Sequence, residues 1–376
     1  MTSWAWGCGL LWCCGLTGRL CDPRMKLFYR TAFCLTEQHD LLMPELVLIS
    51  EVGPRDGLQS IGATMPTAHK LAWIDALHAA GLREIEVGSF VPARLLPQMA
   101  DVAEVVRHAL TKPGLTVMAL VPNLHGAEAA IAAGVHKITL PVSASEAHSL
   151  ANVRKTTDQM VDEVRQIAAL RAAHAPLLHI ETGISTAFGC TLQGAVAEDD
   201  VLRLAVALAE AGVDEIGLSD TTGMANPAQV RRLFGQLRSA VGERAGAAHL
   251  HNTRGLGLAN CLAAYEAGVR TFDSSQGGLG GCPYAPGASG NVVTEDLVYM
   301  FEAMGVHTGV NLDALLAARE VLRAGLPGEP LYGMVAEAGL GKGFRYADGR
   351  APQRAAATAT ASATAAASAS AAGQPA

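Results

Sequence analysis

Between Leu46 and about Gly305 the chain repeats one pattern: a short apolar run, a polar or glycine-containing turn, and a longer segment with helical periodicity. The apolar runs predict eight strands, at Leu46–Val52, Glu84–Phe90, Leu115–Val121, Lys137–Val142, Leu177–Ile184, Glu215–Ser219, Ala247–His251 and Thr271–Ser274. Helices are predicted between them, for example at Thr67–Ala80, Gly126–Ala133, Asp199–Ala211 and Leu258–Ala267. Each of these four helices ends in an Ala-Gly pair that leads into the next strand.

Eight such units over roughly 260 residues match the usual size of a (β/α)8 TIM barrel, an α/β fold. An open doubly wound sheet is the alternative, but it usually has fewer strands. In the barrel the carboxyl ends of all strands form one mouth, where residues distant in sequence converge. Polar residues fall late in the strands or just after them, namely Asp56, Glu86, Ser89, Asn123, Ser143, Glu181, Asp220, His249 and His251.

Composition limits the class of protein. The chain has 376 residues, 17% of them charged, and a net charge of −7, which argues against a nucleic-acid-binding surface. Only Cys190, Cys261 and Cys282 lie in the body of the chain, too few and too scattered for a disulfide framework. A reducing cytoplasm is therefore the expected setting.

The two ends of the chain differ from its body. Residues 1–42 hold three of the four tryptophans, and the apolar stretch from Trp4 to Leu16 is too short to span a bilayer. We interpret residues 1–42 as a mis-annotated or disordered extension, with Met43 as the start; a signal or transit segment is the alternative. Residues 43–345 form the predicted barrel domain, and residues 346–376, rich in Ala, Ser and Thr, form a predicted disordered tail.

His249 and His251 are two positions apart on a predicted strand, so both side chains point into the barrel. Asp56 and Asn291 add two oxygens, and a mixed nitrogen and oxygen set without thiolates favours Mg²⁺ or Mn²⁺ over structural zinc. Two hydrogen-bonded core imidazoles remain the alternative. Arg55, beside Asp56, suits an oxyanion that develops on a substrate carbonyl, although a structural ion pair is also open.

Other polar residues around the mouth have candidate roles. Glu86 is interpreted as a partner that orients His or Arg side chains, and Asp220 is either such a partner or a base. Arg254 is a candidate for binding a substrate carboxylate or phosphate. Cys282 lies in a run from Ser274 to Asn291 with six glycines and two prolines, which predicts a mobile loop after the eighth strand.

These motifs resemble the 3-hydroxy-3-methylglutaryl-CoA lyase family over roughly Leu46 to Leu312. The matching motifs, in the family's order, are EVGPRDGLQ from Glu51, EVGSF from Glu86, SDTTG from Ser219, His249-x-His251, GLGGCP from Gly278 and GASGNVVTED from Gly287. The cysteine loop is specific to the lyases. The first and fourth motifs are shared with condensing enzymes related to isopropylmalate synthase.

The resemblance implies a metal-dependent carbon–carbon lyase of leucine degradation and ketone-body formation, which cleaves hydroxymethylglutaryl-CoA to acetyl-CoA and acetoacetate. It implies Asp56, His249, His251 and Asn291 as ligands of a divalent cation, Mg²⁺ or Mn²⁺. It also implies that Arg55 polarises the substrate carbonyl and that Cys282 is the active-site thiol. Catalytic residues are then Cys282, Arg55, Asp220 and Glu86, and substrate-binding residues are Arg55, Gln59, Ser89, Ser143 and Arg254. The expected partner is an acyl-CoA thioester, with a homodimer or another homo-oligomer as the assembly and neither nucleic acid nor membrane as a partner.

The sequence departs from the family's pattern at two places. Many lyases read His-x-His-Asp-Thr-Tyr-Gly-Gln, whereas this chain reads HLHNTRGL from His249, and the stretch from Ser143 to Arg154 is only partly similar. Because both places should face the substrate, a related thioester such as citramalyl-CoA is an alternative. The motifs also leave open a condensing acyltransferase of the isopropylmalate-synthase type and a barrel kept as a binding protein.

Overall fold

The computed structural model describes residues 45–280 and 290–353. Its eight parallel strands form a closed barrel in which each strand pairs with the next and the eighth pairs with the first. The strands are β1 Leu48–Glu51, β2 Glu84–Ser89, β3 Thr116–Leu120, β4 Lys137–Ser143, β5 His179–Ser185, β6 Glu215–Ser219, β7 Ala245–His249 and β8 Thr271–Ser274. The predicted (β/α)8 fold is therefore confirmed.

Helices surround the barrel and continue past it. Those between strands are Thr67–Ala79, Val102–Ala109, Leu124–Ala133, Glu146–Val153, Thr157–His174, Glu198–Glu210, Pro227–Val241 and Gly257–Glu266. Those after β8 are Thr294–Ala303, Leu312–Gly325 and Met334–Ala338. None of the helices in the described part of the chain has the length and apolar character needed to cross a bilayer.

Burial explains why the apolar runs become barrel strands. All six residues of β2 are buried, because the inner side faces the barrel interior and the outer side faces the helices. Trp73 and Phe234 are among the largest fully buried side chains of the surrounding helices. The strands are thus packed on both sides, as parallel strands require.

Six of the eight predicted strands differ from the observed ones by one or two residues at an end, and one of these differences, together with one at the start of the predicted tail, bears on the site and the domain. β7 ends at His249 rather than His251, because His251 pairs with Asn291 in an isolated antiparallel bridge. Tyr346, which the sequence analysis placed in the tail, is 6% exposed, and its hydroxyl accepts a hydrogen bond from the Leu312 backbone N at 2.9 Å. The packed domain therefore extends past residue 345. Residues 1–44, 281–289 and 354–376 lie outside the described residues, and with them the predicted extension and most of the predicted tail.

The end of the barrel opposite the mouth, where the strands begin, holds a group of charged side chains. Lys137, the first residue of β4, places its Nζ 2.6 Å from Glu181, 2.8 Å from Glu215 and 3.4 Å from Glu84. Glu84 and Glu215 are likewise the first residues of their strands. We call these four residues the base cluster. Glu181, which the sequence analysis placed with the residues of the mouth, belongs to it because it is only the third residue of β5.

Candidate active site

A tight turn after β1 carries the first part of the site. It spans Gly53–Gly57, with Pro54 in its first positions, where a missing backbone N–H costs nothing. The Val52 carbonyl accepts hydrogen bonds from the backbone N of Arg55 at 3.1 Å and of Asp56 at 2.7 Å. These bonds place the side chains of Arg55 and Asp56 side by side at the mouth.

The two histidines meet at the end of β7. Their Nε2 atoms are 3.1 Å apart, and the Nδ1 of His249 lies 3.0 Å from Oδ2 of Asp273 on the neighbouring β8. A carboxylate on the far nitrogen of an imidazole fixes the ring's orientation and directs the other nitrogen to a ligand. His249 and His251 therefore both present Nε2 to the same point.

Asn291 completes the group. It lies in the segment that follows residues 281–289, which are outside the described residues. Its Nδ2 donates to Oδ2 of Asp56 at 2.7 Å and to the Leu279 carbonyl at 3.1 Å. Its Oδ1 is buried without a hydrogen-bond partner among the described residues. Gly280 permits this approach, since it has a φ of +102° and an added Cβ would lie 2.6 Å from the Asn291 Nδ2.

These residues fit a divalent cation. The ligand atoms of Asp56, His249 and His251 all lie within 4.8 Å of one another, and the unpartnered Asn291 oxygen adds a fourth donor. Burial alone would raise the pKa of Asp56, but Arg55 and the two imidazoles hold it at about 2. Burial, helped by the neighbouring His249, lowers the pKa of His251 to about 4. Carboxylate and neutral imidazole are the forms that bind metal, which suits Asp56 and His251. Burial lowers the pKa of His249, but Asp273 and Asp56 outweigh it and raise that pKa, so metal binding at His249 would release a proton.

Arg55 is held between two carboxylates. Its Nη1 donates to Oδ1 of Asp56 at 2.6 Å and its Nε donates to Oε2 of Glu86, whose Oε1 accepts from the Thr139 hydroxyl at 2.5 Å. Burial opposes the charge of Arg55, but Glu86 and Asp56 raise its pKa. The guanidinium is thus a fixed positive charge beside the candidate metal site, and Glu86 contacts it directly.

Asp220 follows β6 and is 1% exposed. Its Oδ1 accepts from the backbone N of Met224 at 2.7 Å and of Ala225 at 3.1 Å, whereas its Oδ2 is buried without a hydrogen-bond partner among the described residues. Burial raises the pKa of Asp220 to about 7. Such a carboxyl group can take up or release a proton near neutral pH.

Some of the substrate-binding candidates have partners within the protein, and others have polar atoms without one among the described residues. The Nη1 of Arg254 donates to the carbonyls of Thr222 at 2.9 Å and Gly223 at 2.7 Å, so its guanidinium holds the loop after Asp220. Ser143 is buried at the end of β4, with its Oγ 2.6 Å from Nδ1 of His148. The Oγ of Ser89 and the Oε1 of Gln59 are buried without hydrogen-bond partners among the described residues.

The structure gives no position for one predicted site residue, and it shows two site residues that were not predicted from the sequence. Cys282 lies outside the described residues, so its role stays a prediction. Asp273 and Thr139 were not predicted, although Asp273 is opposite His249 in the β7–β8 register. The available signal for Asp273 was that it is an acidic residue inside the apolar run of β8. The sequence alone does not give that register.

Comparison with known proteins identifies relatives of this chain. The HMGL-like family profile matches residues 46–322. A hydroxymethylglutaryl-CoA lyase of Bacillus subtilis is 41% identical over 288 residues, 77% of this chain and 95% of the relative. An (R)-citramalyl-CoA lyase of Chloroflexus aurantiacus is 41% identical over 305 residues, 78% of this chain and 95% of the relative. A solved HMG-CoA lyase from Acinetobacter baumannii, in complex with coenzyme A and 3-methylmalate, superposes with a TM-score of 0.75 at 40% identity, covering 80% of this chain and 97% of its own.

Proposed function

The chain belongs to the HMGL-like family, and from this premise we propose that it is a hydroxymethylglutaryl-CoA lyase that depends on a divalent cation. The reaction is a retro-Claisen cleavage of (S)-3-hydroxy-3-methylglutaryl-CoA to acetyl-CoA and acetoacetate. The observation that carries the proposal is the convergence of Asp56, His249, His251 and the free Asn291 oxygen at the mouth, with Arg55 beside them.

Asp56, His249, His251 and Asn291 would hold the cation, for which we propose Mg²⁺ or Mn²⁺ because the set contains oxygen and imidazole donors. When bound, such an ion would supply Lewis-acid chemistry and would make the substrate's hydroxyl more acidic. Asp273 keeps the Nδ1 of His249 occupied, so that its Nε2 would be free to bind the ion.

Arg55 supports the charge that develops on the thioester. Cleavage of the C2–C3 bond leaves its electron pair on C2 as the enolate of acetyl-CoA, with negative charge on the thioester oxygen. A fixed guanidinium stabilises that oxygen without reorganising during the reaction. Glu86 holds the guanidinium in place, and the Thr139 hydroxyl donates to the other oxygen of Glu86.

Two groups would move the protons. Asp220, with a pKa of about 7 and an unpartnered Oδ2, would accept the proton of the C3 hydroxyl as C3 becomes the ketone of acetoacetate. The Cys282 thiol would donate a proton to C2 and so complete acetyl-CoA. A thiol donor away from bulk water protects the enolate from side reactions.

A second candidate is citramalyl-CoA cleavage. The Chloroflexus aurantiacus relative is as similar to this chain as the Bacillus subtilis lyase is. Arg254 also stands where many lyases have tyrosine, and it holds the loop that carries Asp220. The acyl group is therefore the part of the substrate that most needs a direct test. A homo-oligomeric assembly and a cytoplasmic location stay predictions.

The test uses the purified full-length protein, stripped of metal with EDTA. It is incubated with and without Mg²⁺ or Mn²⁺ and a panel of 3-hydroxyacyl-CoA thioesters, and the products are identified by mass spectrometry. We expect acetyl-CoA and acetoacetate from hydroxymethylglutaryl-CoA only when the ion is present. Full turnover after exhaustive EDTA treatment would reject the metal assignment, and cleavage of citramalyl-CoA alone would favour the second candidate.

A condensing activity is tested separately. Acetyl-CoA is mixed with a set of 2-oxo acids, and free coenzyme A thiol is measured. A lyase releases no thiol under these conditions, whereas a condensing acyltransferase does.

A further inference from the structure

Glu51, the last residue of β1, is a fully buried carboxylate to which the proposed reaction gives no role. Its Oε1 accepts hydrogen bonds from the backbone N of Gly53 and of Gln276, both at 2.9 Å. Its Oε2 accepts from the Thr294 hydroxyl at 2.7 Å. Three donors from three separate segments thus converge on one side chain.

Each of these segments leads to the candidate metal site. Gly53 begins the turn that carries Asp56. Gln276 begins the stretch that ends at Gly280, whose carbonyl accepts from the Asn291 backbone N at 3.0 Å. Thr294 follows Asn291 by three residues and begins the next helix. Glu51 therefore joins the backbone near one proposed ligand, Asp56, to the backbone on both sides of another, Asn291.

The packing leaves little room for this junction to shift. A Cβ added at Gly53 would lie 2.5 Å from Oε1 of Glu51 and 2.9 Å from the Ser275 hydroxyl, so only glycine lets the backbone come this close. The Gln276 side chain is fixed as well: its Oε1 accepts from Trp73 at 2.6 Å and its Nε2 donates to the Leu315 carbonyl at 2.6 Å.

Glu51 differs from the other buried carboxylates around the mouth in its partners. Glu86 is paired with Arg55 and Glu295 with Arg319, whereas Glu51 has no ion pair with a cationic side chain among the described residues. Burial raises its pKa to about 8. Because no cation lies beside this buried carboxyl group, it contributes to the structure through its three hydrogen bonds rather than through an ion pair.

We propose that Glu51 is a positioning residue that sets the spacing between Asp56 and Asn291 and thereby the affinity of the site for its divalent cation. The proposal rests on the metal site of the proposed function. It predicts that losing the three hydrogen bonds loosens the ligand pair, whose direct contact is the 2.7 Å bond from Asn291 Nδ2 to Asp56 Oδ2.

The experiment measures the dissociation constant for Mn²⁺ by titration calorimetry on the metal-free, full-length protein, together with Tm. Glu51→Ala should weaken Mn²⁺ binding by about 10- to 100-fold, the usual effect of removing a group that orients a ligand. Glu51→Gln should stay within about threefold of the wild type, because its amide oxygen can accept from both backbone N–H groups and its NH₂ can donate to Thr294.

Glu302→Ala is the matched control. Glu302 is also buried and also accepts three hydrogen bonds, from the Thr308 backbone N at 2.7 Å, the Thr308 hydroxyl at 2.6 Å and the Ala347 backbone N at 2.7 Å. It holds segments that carry none of the proposed ligands. We expect Glu302→Ala to lower Tm and to leave the Mn²⁺ affinity unchanged.

The outcomes separate the two proposals. If the wild type does not bind Mn²⁺, the metal site fails and the positioning role fails with it. If the wild type binds and a folded Glu51→Ala protein binds equally well, or if Glu302→Ala loses as much affinity, the positioning role alone is overturned. If Glu51→Ala does not fold, Gly53→Ala replaces it, since the added Cβ displaces the Glu51 side chain. An unchanged Mn²⁺ affinity of Gly53→Ala would also overturn the positioning role.

Discussion

The two ends of the barrel both bury charged side chains, but they use them differently. At the base, Lys137 lies within ion-pair distance of Glu84, Glu181 and Glu215, so the charges of the cluster face one another. At the mouth, buried polar atoms lack partners among the described residues, including Asn291 Oδ1, Gln59 Oε1 and Asp220 Oδ2.

The difference indicates which end evolved for chemistry. An unpartnered buried polar atom costs free energy, and proteins retain it mainly where a ligand or a reaction uses it. The base therefore pairs its buried charges with one another, whereas the mouth carries the cost of an open site. Substitutions at the two ends should then separate activity from stability.

The largest effect is expected from His249→Ala at the mouth. Loss of one proposed ligand should lower kcat/KM by roughly 10³–10⁴-fold, because the ion contributes several kcal/mol to transition-state stabilisation. The free energy of unfolding of the metal-free protein should change little by comparison. Bound metal, measured by elemental analysis, should fall with activity, and a variant with full metal content and low activity would contradict the ligand assignment.

Cys282→Ala should act at the mouth without changing the metal. Removing a positioned proton donor should lower kcat by about 10²–10⁴-fold, while the Mn²⁺ dissociation constant stays at the wild-type value. A thiol-specific reagent should inactivate the wild type, and a bound substrate analogue should protect it. A variant that turns over at close to the wild-type rate would assign the proton donor to another group.

Lys137→Met tests the base. Removal of the one cation from a buried cluster of carboxylates should lower the free energy of unfolding by about 3–5 kcal/mol, as measured by urea denaturation. Mn²⁺ affinity should remain unchanged, since Lys137 contacts none of the proposed ligands. Equal loss of metal affinity and stability would show that the two ends are not separable.

The sequence predicted the barrel because its signals are local. The apolar runs and the glycine that ends each helix gave β6 and β8 with their observed boundaries, Glu215–Ser219 and Thr271–Ser274. The proposed ligands were predicted for a related reason: the end of every strand faces one mouth, whatever its distance along the chain.

What depends on register was not predictable in this way. Glu181 was placed at the mouth because the sequence assigned it to a strand but did not show how far along the barrel axis it lies. In the structure it contacts Lys137 at the base. The pairing of Asp273 with His249 and the three donors on Glu51 likewise depend on contacts between distant segments. A single sequence can mark Asp273 as an acidic residue in an apolar run, but it does not give the partner that such a residue contacts.

The smallest expected effect is a difference in pH dependence between two buried glutamates, one at each end. Burial raises the pKa of Glu51 to about 8, whereas for Glu215 burial is outweighed by His179 and Lys137, which lower its pKa to about 2. Folded Glu51 therefore binds more protons than the unfolded chain between about pH 4.5 and 8, and its contribution to stability falls as pH rises through that window. Glu215 has the opposite sign, because its contribution is complete above about pH 4.5 and is lost as pH falls towards 2.

Urea denaturation of the metal-free protein across this pH range tests both signs. Glu51→Gln should remove part of the decline above pH 5, and Glu215→Gln should remove part of the loss in acid, each by no more than about 1.4 kcal/mol per pH unit for one proton. Glu51→Gln should leave the acid limb unchanged and Glu215→Gln should leave the decline above pH 5 unchanged, since each variant removes one titrating group at one end of the barrel. If Glu51→Gln instead reduced the loss of stability at low pH, the Glu51 carboxyl of the wild type would have to be ionised in the folded protein, with a lowered pKa. The contrast between an unpaired carboxyl at the mouth and a paired one at the base would then be wrong.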